Sequence, residues 1–305
     1  MRRPWRGADD PASQRHPTVK ARRLASRVLP PFVADVLRRN ARSRVTSSDA
    51  EWNYLPSGWP PMDEGGWDVE SVAATQLDRW PAFVETVAKS GPLGQSNEAD
   101  AGTRPDYPVH NTLMAFGYVL ARAAHGCDRI SLLDWGGGIG HYCVYTRALM
   151  PDVALDYHCR ELPRLARAGR SVLPEATFHD SDESALARRY DVVMASSSLQ
   201  YSRDWRRVLA NLAGIAAPYL YVTRMPFVDH APSFVVVQRP HRHGYLTEYP
   251  GWFINRGEFL TEAAELGLRL EREFLVDERP FVPGAPEQAA YRGFLFTAAS
   301  GSVTA

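Results

Sequence analysis

One glycine-rich stretch, residues 129–141, constrains the fold of this chain more than any other. It reads RISLLDWGGGIGH, an apolar and β-branched run that ends at Asp134 and is followed by closely spaced glycines. The next residues predict a helix that begins at His141 and stops before Pro151. The pattern therefore predicts a buried strand, a tight turn and a helix. Glycines in such a turn let a ligand approach the main chain, and the amides at the helix start face that ligand.

The spacing of the glycines points to the class of ligand. A dinucleotide fingerprint, G-x-G-x-x-G, counted from Gly136 places its third glycine at position 141, which is a histidine. The chain instead reads D-x-G-x-G-x-G, which closely resembles the first motif of class I S-adenosylmethionine (SAM) methyltransferases. A glycine-rich turn without a ligand is the alternative. The resemblance implies SAM as the cofactor, with Asp134 anchoring its amino-acid end and four glycines beneath its methionine part: Gly136, Gly137, Gly138 and Gly140.

The composition describes a globular protein. With 305 residues, 45% of them hydrophobic, the chain can form one large domain or a domain with a small appendage. No apolar run approaches the roughly 18 residues that a membrane span requires, and the first residues do not resemble a secretory signal. The three cysteines lack paired metal spacing, so we expect a cytoplasmic protein without a metal site.

Charge is concentrated at the start of the chain. Residues 1–44 hold twelve Lys and Arg against three Asp, a balance of +9 that the remainder of this neutral chain offsets. Such an arm fits either peripheral contact with the anionic inner face of a membrane or a solvated extension. The acidic remainder argues against a nucleic-acid partner. The predicted organisation has three parts. A basic, partly disordered or amphipathic helical arm covers residues 1–49, and a cap with an aromatic loop and a helix covers 50–106. A SAM-binding domain covers 107–305 and contains an acceptor-side insertion at 225–256.

Strands and helices alternate from residue 129 onward, which is typical of a parallel sheet with helices on both faces. The predicted strands are 129–135, 153–161, 176–179, 190–196, 218–224, 268–276 and 290–298, and three of the predicted helices are 69–88, 107–125 and 257–266. The resulting fold class is α/β, a Rossmann-like, doubly wound sheet of seven mostly parallel strands. Its last strand is expected to run antiparallel, as in class I methyltransferases.

The strand ends supply the candidate cofactor residues, because ligands of open parallel sheets bind beyond the carboxyl ends of the strands. An acid ending strand two can accept both ribose hydroxyls, and Glu161 lies there, whereas its rival Asp156 lies mid-strand. Asp180 and Ser181 end strand three, where class I enzymes commonly bind adenine. The turn after strand four resembles the fourth motif of small-molecule methyltransferases and adds Ser196, Ser197 and Gln200.

Candidate acceptor residues lie outside these motifs. The aromatic loop 50–67 fits either a wall of a substrate pocket or a small satellite core. Arg224, at the end of strand five, fits either a planar fork for an anion or a structural salt bridge. The segment 238–256 adds polar and aromatic residues before the last helix. The candidates for acceptor binding are Trp59, Tyr107, His110, Asn111, Arg224, Tyr245, Trp252 and Asn255.

Residues from about 50 to 298 resemble a group of class I methyltransferases found with bacterial surface-polysaccharide genes. The stretches that carry the resemblance are 58–59, 66–68, 110–111, 133–140, 190–201, 223–227 and 252–256. The resemblance implies methylation of a sugar hydroxyl in a polysaccharide, glycolipid or sugar-nucleotide precursor. There are two alternatives: the protein methylates a specialised metabolite, or it binds a ligand without catalysis.

A sugar hydroxyl is a poor nucleophile, so a general base helps the transfer. Histidine suits this role because its pKa lies near neutrality. The candidates are His141, His230, His241 and His243, with Asp229 as an alternative base or as the group that orients one.

Overall fold

The computed structural model describes residues 50–61, 66–94 and 106–298. The basic arm, residues 1–49, lies outside these ranges, so its predicted disorder or helical structure stays a prediction. Among the described helices, none combines the length and the apolar character that crossing a membrane requires.

The strands and helices follow the predicted alternation. The strands are β1 (Trp52–Leu55), β2 (Arg129–Trp135), β3 (Ala154–Arg160), β4 (Thr177–His179), β5 (Tyr190–Ser196), β6 (Ala216–Val228), β7 (Phe234–Gln238), β8 (Tyr249–Asn255), β9 (Leu268–Leu275) and β10 (Ala290–Ala298). The α-helices are α1 (Glu70–Val87), α2 (Tyr107–Ala123), α3 (His141–Leu149), α4 (Pro163–Val172), α5 (Asp182–Leu186), α6 (Trp205–Ile215) and α7 (Arg256–Glu265). Two single 3₁₀ turns cover Leu199–Tyr201 and His241–His243.

The central sheet has the strand order β4-β3-β2-β5-β6, and its neighbours are parallel. Strand β10 runs antiparallel to both β6 and β9, which confirms the predicted Rossmann-like sheet with an antiparallel last strand. In the register, Asp134 on β2 lies beside Cys159 on β3 and Met194 on β5. The carboxyl ends of these three strands therefore meet at one edge of the sheet.

Helices cover both faces of the central sheet and bury two hydrophobic cores. The first core joins α1 to α4 through residues such as Phe83, Phe116, Tyr142 and Leu165. The second joins α6 and α7 through residues such as Leu209 and Phe259. Their burial follows from the helical periodicity of apolar residues, because one side of each helix must leave water.

The predicted insertion is a part of the sheet. Strand β6 continues four residues beyond its predicted end, and β7 and β8 form an antiparallel pair that joins the sheet where β8 pairs with Phe227 and Val228. Residues 50–67 were expected to form a loop, yet Trp52–Leu55 form β1, which pairs with β7. The sequence concealed this short strand, because prolines follow it closely and because it depends on a partner strand about 180 residues away in the chain.

Candidate active site

The glycine turn follows β2 and leads into α3. Gly136, Gly138 and Gly140 have φ angles of 73°, 61° and 99°, a left-handed conformation that strongly favours glycine. Gly137 is needed for a different reason, because a Cβ atom there would overlap the carboxylate of Asp134. The turn is therefore tight, and the residues around it leave no room for side chains on it.

Asp134 lies completely buried at the end of β2. Its Oδ2 accepts a hydrogen bond from the Tyr157 hydroxyl at 2.7 Å, whereas its Oδ1 has no hydrogen-bond partner among the described residues. Burial raises the pKa of this carboxyl to about 7, although the hydrogen bond from Tyr157 acts in the opposite direction. Asp134 thus carries a buried acceptor atom and titrates near neutral pH.

Glu161 lies beside the same turn, at the end of β3. Its Oε2 accepts the Gly138 N–H at 2.9 Å and its Oε1 accepts the Leu162 N–H at 2.8 Å. Burial raises the pKa of Glu161. Its rival Asp156 lies mid-strand and pairs instead with His158 and Arg188, at 3.2 Å each. Only Glu161 of these two acids contacts the glycine turn.

The end of β4 carries the two residues predicted near adenine. The carboxylate of Asp180 pairs with Arg170 at 3.1 Å and is about half exposed. The hydroxyl of Ser181 accepts the Ser184 N–H and caps α5. Both side chains already have partners, so a ligand would share or replace these contacts.

The turn after β5 contacts the glycine turn. A Cβ atom on Gly136 would overlap the side chain of Ser198, whose hydroxyl donates to the Trp135 carbonyl at 2.6 Å. The hydroxyl of Ser196 lies 2.9 Å from the Tyr142 hydroxyl. Ser197 has a φ of 51°, and its hydroxyl accepts a hydrogen bond from the Gln200 amide. The predicted fourth motif thus lies next to the first.

Helix α1, which sequence reasoning did not assign to the site, lies over the glycine turn. The Gln76 amide oxygen lies 2.9 Å from where a Cβ atom of Gly138 would be. Ahead of the helix, Asp68 accepts the Arg164 N–H at the start of α4. From the same helix, Arg79 donates to the His243 carbonyl, which belongs to the predicted insertion. No local motif marks Gln76, because its contact with Gly138 is tertiary.

An aromatic cluster lies between the start of α1 and the β7–β8 pair. The ring of Trp67 stacks on Tyr249 at 4.3 Å and meets Tyr201 and Tyr245 edge-on. Of these, Tyr245 is a predicted acceptor residue and is almost fully buried. This cluster corresponds to a small satellite core, which is one of the two interpretations given above for the aromatic loop.

Trp59 and Trp252 form a separate pair beside this cluster. Their ring centroids are 5.8 Å apart, and both side chains are partly exposed. The Trp252 indole N–H donates to the Arg203 carbonyl, just beyond the turn that follows β5. The structure therefore brings together two of the predicted acceptor residues from opposite ends of the chain.

The other predicted acceptor residues have individual surroundings. Tyr107 is 80% exposed and Asn111 is also exposed, whereas the His110 ring lies 2.8 Å from the Leu93 carbonyl. The Asn255 amide caps α7 and donates to the Ala231 carbonyl. Arg224 has a φ of 51° and lies 3.8 Å from Glu278, which corresponds to the salt-bridge reading. Their role in acceptor binding stays a prediction.

The five predicted base candidates lie on three different elements. His141 begins α3, is 2% exposed and contacts the rings of Trp80 and Phe83. His230 is exposed after β6, next to Asp229, whose carboxylate accepts from Arg292 at 3.0 Å. His241 and His243 lie on the 3₁₀ turn of the insertion. Their assignment stays a prediction. No cluster of metal-binding side chains occurs within the described ranges.

Solved structures with similar folds include several methyltransferases. Magnesium protoporphyrin IX methyltransferase from Synechocystis PCC 6803, with bound SAM, is 14% identical, with a TM-score of 0.46 over 75% of this chain and 93% of that one. The 1,6-didemethyltoxoflavin-N1-methyltransferase of Burkholderia thailandensis is 14% identical, with a TM-score of 0.42 over 82% and 99%. Mitomycin 7-O-methyltransferase is 18% identical, with a TM-score of 0.42 over 75% and 71%. These values are too low to transfer a substrate.

No protein of curated function matches the chain significantly in sequence. A family model described as a methyltransferase domain matches residues 110–272, which is more than half of the chain. The matched region contains the glycine turn, Glu161 and the turn after β5, in the sheet order described above. The chain therefore belongs to the methyltransferase domain family, as a class I, SAM-dependent methyltransferase.

Proposed function

We propose that this enzyme methylates a hydroxyl oxygen of a sugar, within a polysaccharide, glycolipid or sugar-nucleotide precursor. In one in-line displacement, the acceptor oxygen bonds to the methyl carbon as the carbon–sulfur bond breaks, and the hydroxyl proton passes to a base. The protein contributes mainly by aligning the two reactants.

The residues around the glycine turn fit the cofactor. SAM supplies an electrophilic methyl group on a sulfonium. Left-handed glycines expose the main chain, Glu161 offers a buried carboxylate for the ribose hydroxyls, and Asp134 offers an acceptor atom that has no partner among the described residues. Asp180 and the turn 196–200 are the proposed neighbours of the adenine and of the acceptor.

The observation that carries the acceptor proposal is the pair Trp59 and Trp252. Sugars present apolar C–H faces, and partly exposed indole rings offer broad surfaces on which such faces stack. Polar groups lie at the ends of β5 and β6, where Ser196 is in register with Thr223 and the hydroxyls of Tyr142 and Tyr221 bond to these two residues. The paired indole rings suit the apolar faces of a sugar, and the hydroxyl groups at the strand ends suit its polar edges.

The test is a methylation assay of the full-length protein with SAM and a panel of hexoses, uronic acids, sugar nucleotides and lipid-linked saccharides. We expect a product that gains one methyl group on oxygen, identified by mass spectrometry. The lipid-linked members also test the predicted contact of the basic arm, residues 1–44, with a membrane surface. Methylation of non-saccharide acceptors alone would reject the sugar proposal.

The variants Trp59→Ala and Trp252→Ala locate the acceptor. Each removes one stacking surface, so we expect the acceptor KM to rise about fivefold to tenfold, with SAM affinity unchanged. The matched control is Tyr118→Ala, which removes a partly exposed ring from α2. An equal rise in KM for the control would show that the tryptophans have no special role.

A further inference from the structure

Gln76 has the features of a ligand-binding residue. It lies on α1, is only 7% exposed, and its Oε1 has no hydrogen-bond partner among the described residues. Burying an amide oxygen without a donor destabilises a protein. Since the side chain contributes no hydrogen bond through this atom, stability alone does not account for a buried glutamine here.

The position of this oxygen points to the cofactor. It lies 2.9 Å from the Cβ position of Gly138, and the Oδ1 atom of Asp134 lies 2.9 Å from the Cβ position of the preceding residue, Gly137. Both atoms are acceptors, and both lack a donor in the described part of the chain. These two acceptor atoms lie against consecutive glycines of one turn. A ligand with N–H donors would provide the hydrogen bonds that both atoms lack within the described residues.

The charge of the side chains at this turn indicates which kind of donor group a ligand would have. Asp134 and Glu161 are two carboxyl groups in contact with this turn, so a cationic group is favoured there over an anionic one. The methionine part of SAM carries a primary ammonium, with three N–H donors and a positive charge. Hydrogen bonds in which one partner is charged are stronger than neutral ones.

We propose that Gln76 is a cofactor-binding residue that accepts a hydrogen bond from the ammonium group of SAM. The inference rests on the proposed function, because it takes SAM as the methyl donor. It also assigns a role to α1, since the helix brings a side chain to the cofactor from outside the glycine motif. The hydrogen bond from Arg79 to the His243 carbonyl connects the same helix to the insertion.

The test compares two ligands on the wild-type protein and on Gln76→Met, which keeps the length of the side chain but lacks the amide. The ligands are S-adenosylhomocysteine (SAH) and its analogue in which a hydrogen replaces the amino group. We expect Gln76→Met to weaken SAH binding at least about tenfold, and to change the binding of the analogue less than about twofold. Isothermal titration calorimetry measures both.

Thermal unfolding without ligand separates this role from a structural one. Methionine buries no unpartnered oxygen, so the ligand-free variant should unfold at the same temperature as the wild type or higher. The control Asp78→Asn, at an exposed position of α1, should leave SAH binding and unfolding unchanged.

Three outcomes would overturn the assignment: unchanged SAH affinity in Gln76→Met, an equal loss of affinity for both ligands, or a lower unfolding temperature without ligand. An inability of the wild type to bind SAM or SAH would instead contradict the proposed function. The two failures are therefore distinguishable.

Discussion

Two halves of the site are built in different ways. The cofactor half consists of β2 to β5 with the turns 136–140 and 196–201. Its polar contacts join the glycine turn to residues at the ends of the neighbouring strands. The proposed acceptor half consists of β1, β7 and β8, and its contacts join residues such as Trp59 and Trp252 that are far apart in sequence. A short motif can therefore specify the first half, whereas only the folded chain assembles the second.

The largest effect should follow a change at the centre of the cofactor half, Gly137→Ala. The new methyl group would overlap the carboxylate of Asp134, which the Tyr157 hydroxyl holds in place. We expect SAM affinity to fall about 100-fold, because displacement of the turn misplaces every amide on it. Stability should fall by about 1–3 kcal/mol, as in other overpacked sites. Calorimetry and thermal unfolding measure the two effects.

Gly214→Ala is the matched control for this substitution. Gly214 lies in α6, where an added Cβ atom meets nothing within 4 Å. Alanine is the better helix former, so this variant should gain about 0.5–1 kcal/mol and bind SAM normally. If Gly137→Ala bound SAM as well as this control does, the turn would not be the cofactor site.

Glu161→Ala should have the next largest effect. It removes the acceptor of the Gly138 N–H and the proposed partner of the ribose hydroxyls, so SAM affinity should fall about 10-fold to 100-fold. Asp156→Ala is its comparison, because this acid pairs with His158 and Arg188 and does not contact the turn. Equal losses of SAM affinity in the two variants would reject the ribose assignment.

The sequence predicted the cofactor half well for a physical reason. Strand ends and left-handed turns depend on neighbouring residues, so β2 and β5 have their predicted bounds and Glu161 lies beside the turn. In the proposed acceptor half β1 was missed, and on α1 the proposed cofactor residue Gln76 was not a candidate. Both depend on contacts between distant segments, which hydrophobic periodicity and turn chemistry do not encode.

The pH dependence of SAM binding tests the charge of the cofactor half. Burial raises the pKa of Asp134 to about 7, so its carboxyl is increasingly protonated below neutral pH. A cationic group nearby favours the ionised form, so SAM affinity should rise with pH and fall by up to about tenfold per unit below pH 7. Calorimetry between about pH 6 and pH 8 measures this slope, together with the proton released on binding.

Two variants sharpen this pH test. Asp134→Asn removes the titrating group, so SAM binding should be weaker and independent of pH across this range. Tyr157→Phe removes the hydrogen bond that opposes the raised pKa, so the dependence should move to higher pH. A slope that persisted in Asp134→Asn would assign the titration to another group.

The smallest effect is expected at the border between the two halves, in Tyr201→Phe. The Tyr201 hydroxyl donates to Gln238 at 2.7 Å, and the Gln238 amide donates to Glu51 at 2.6 Å, which connects the turn after β5 to the edge of the acceptor half. Loss of one such bond should lower stability by about 1 kcal/mol. Tyr54→Phe, on β1, is the control, because its ring packs on Phe234 and its hydroxyl has no hydrogen bond within the described ranges.

The same substitution should also affect acceptor binding. Because Tyr201 supports the proposed acceptor half, the acceptor KM of Tyr201→Phe should rise about twofold while SAM affinity stays constant. A larger change in SAM affinity than in KM would show that the two halves are not energetically separate.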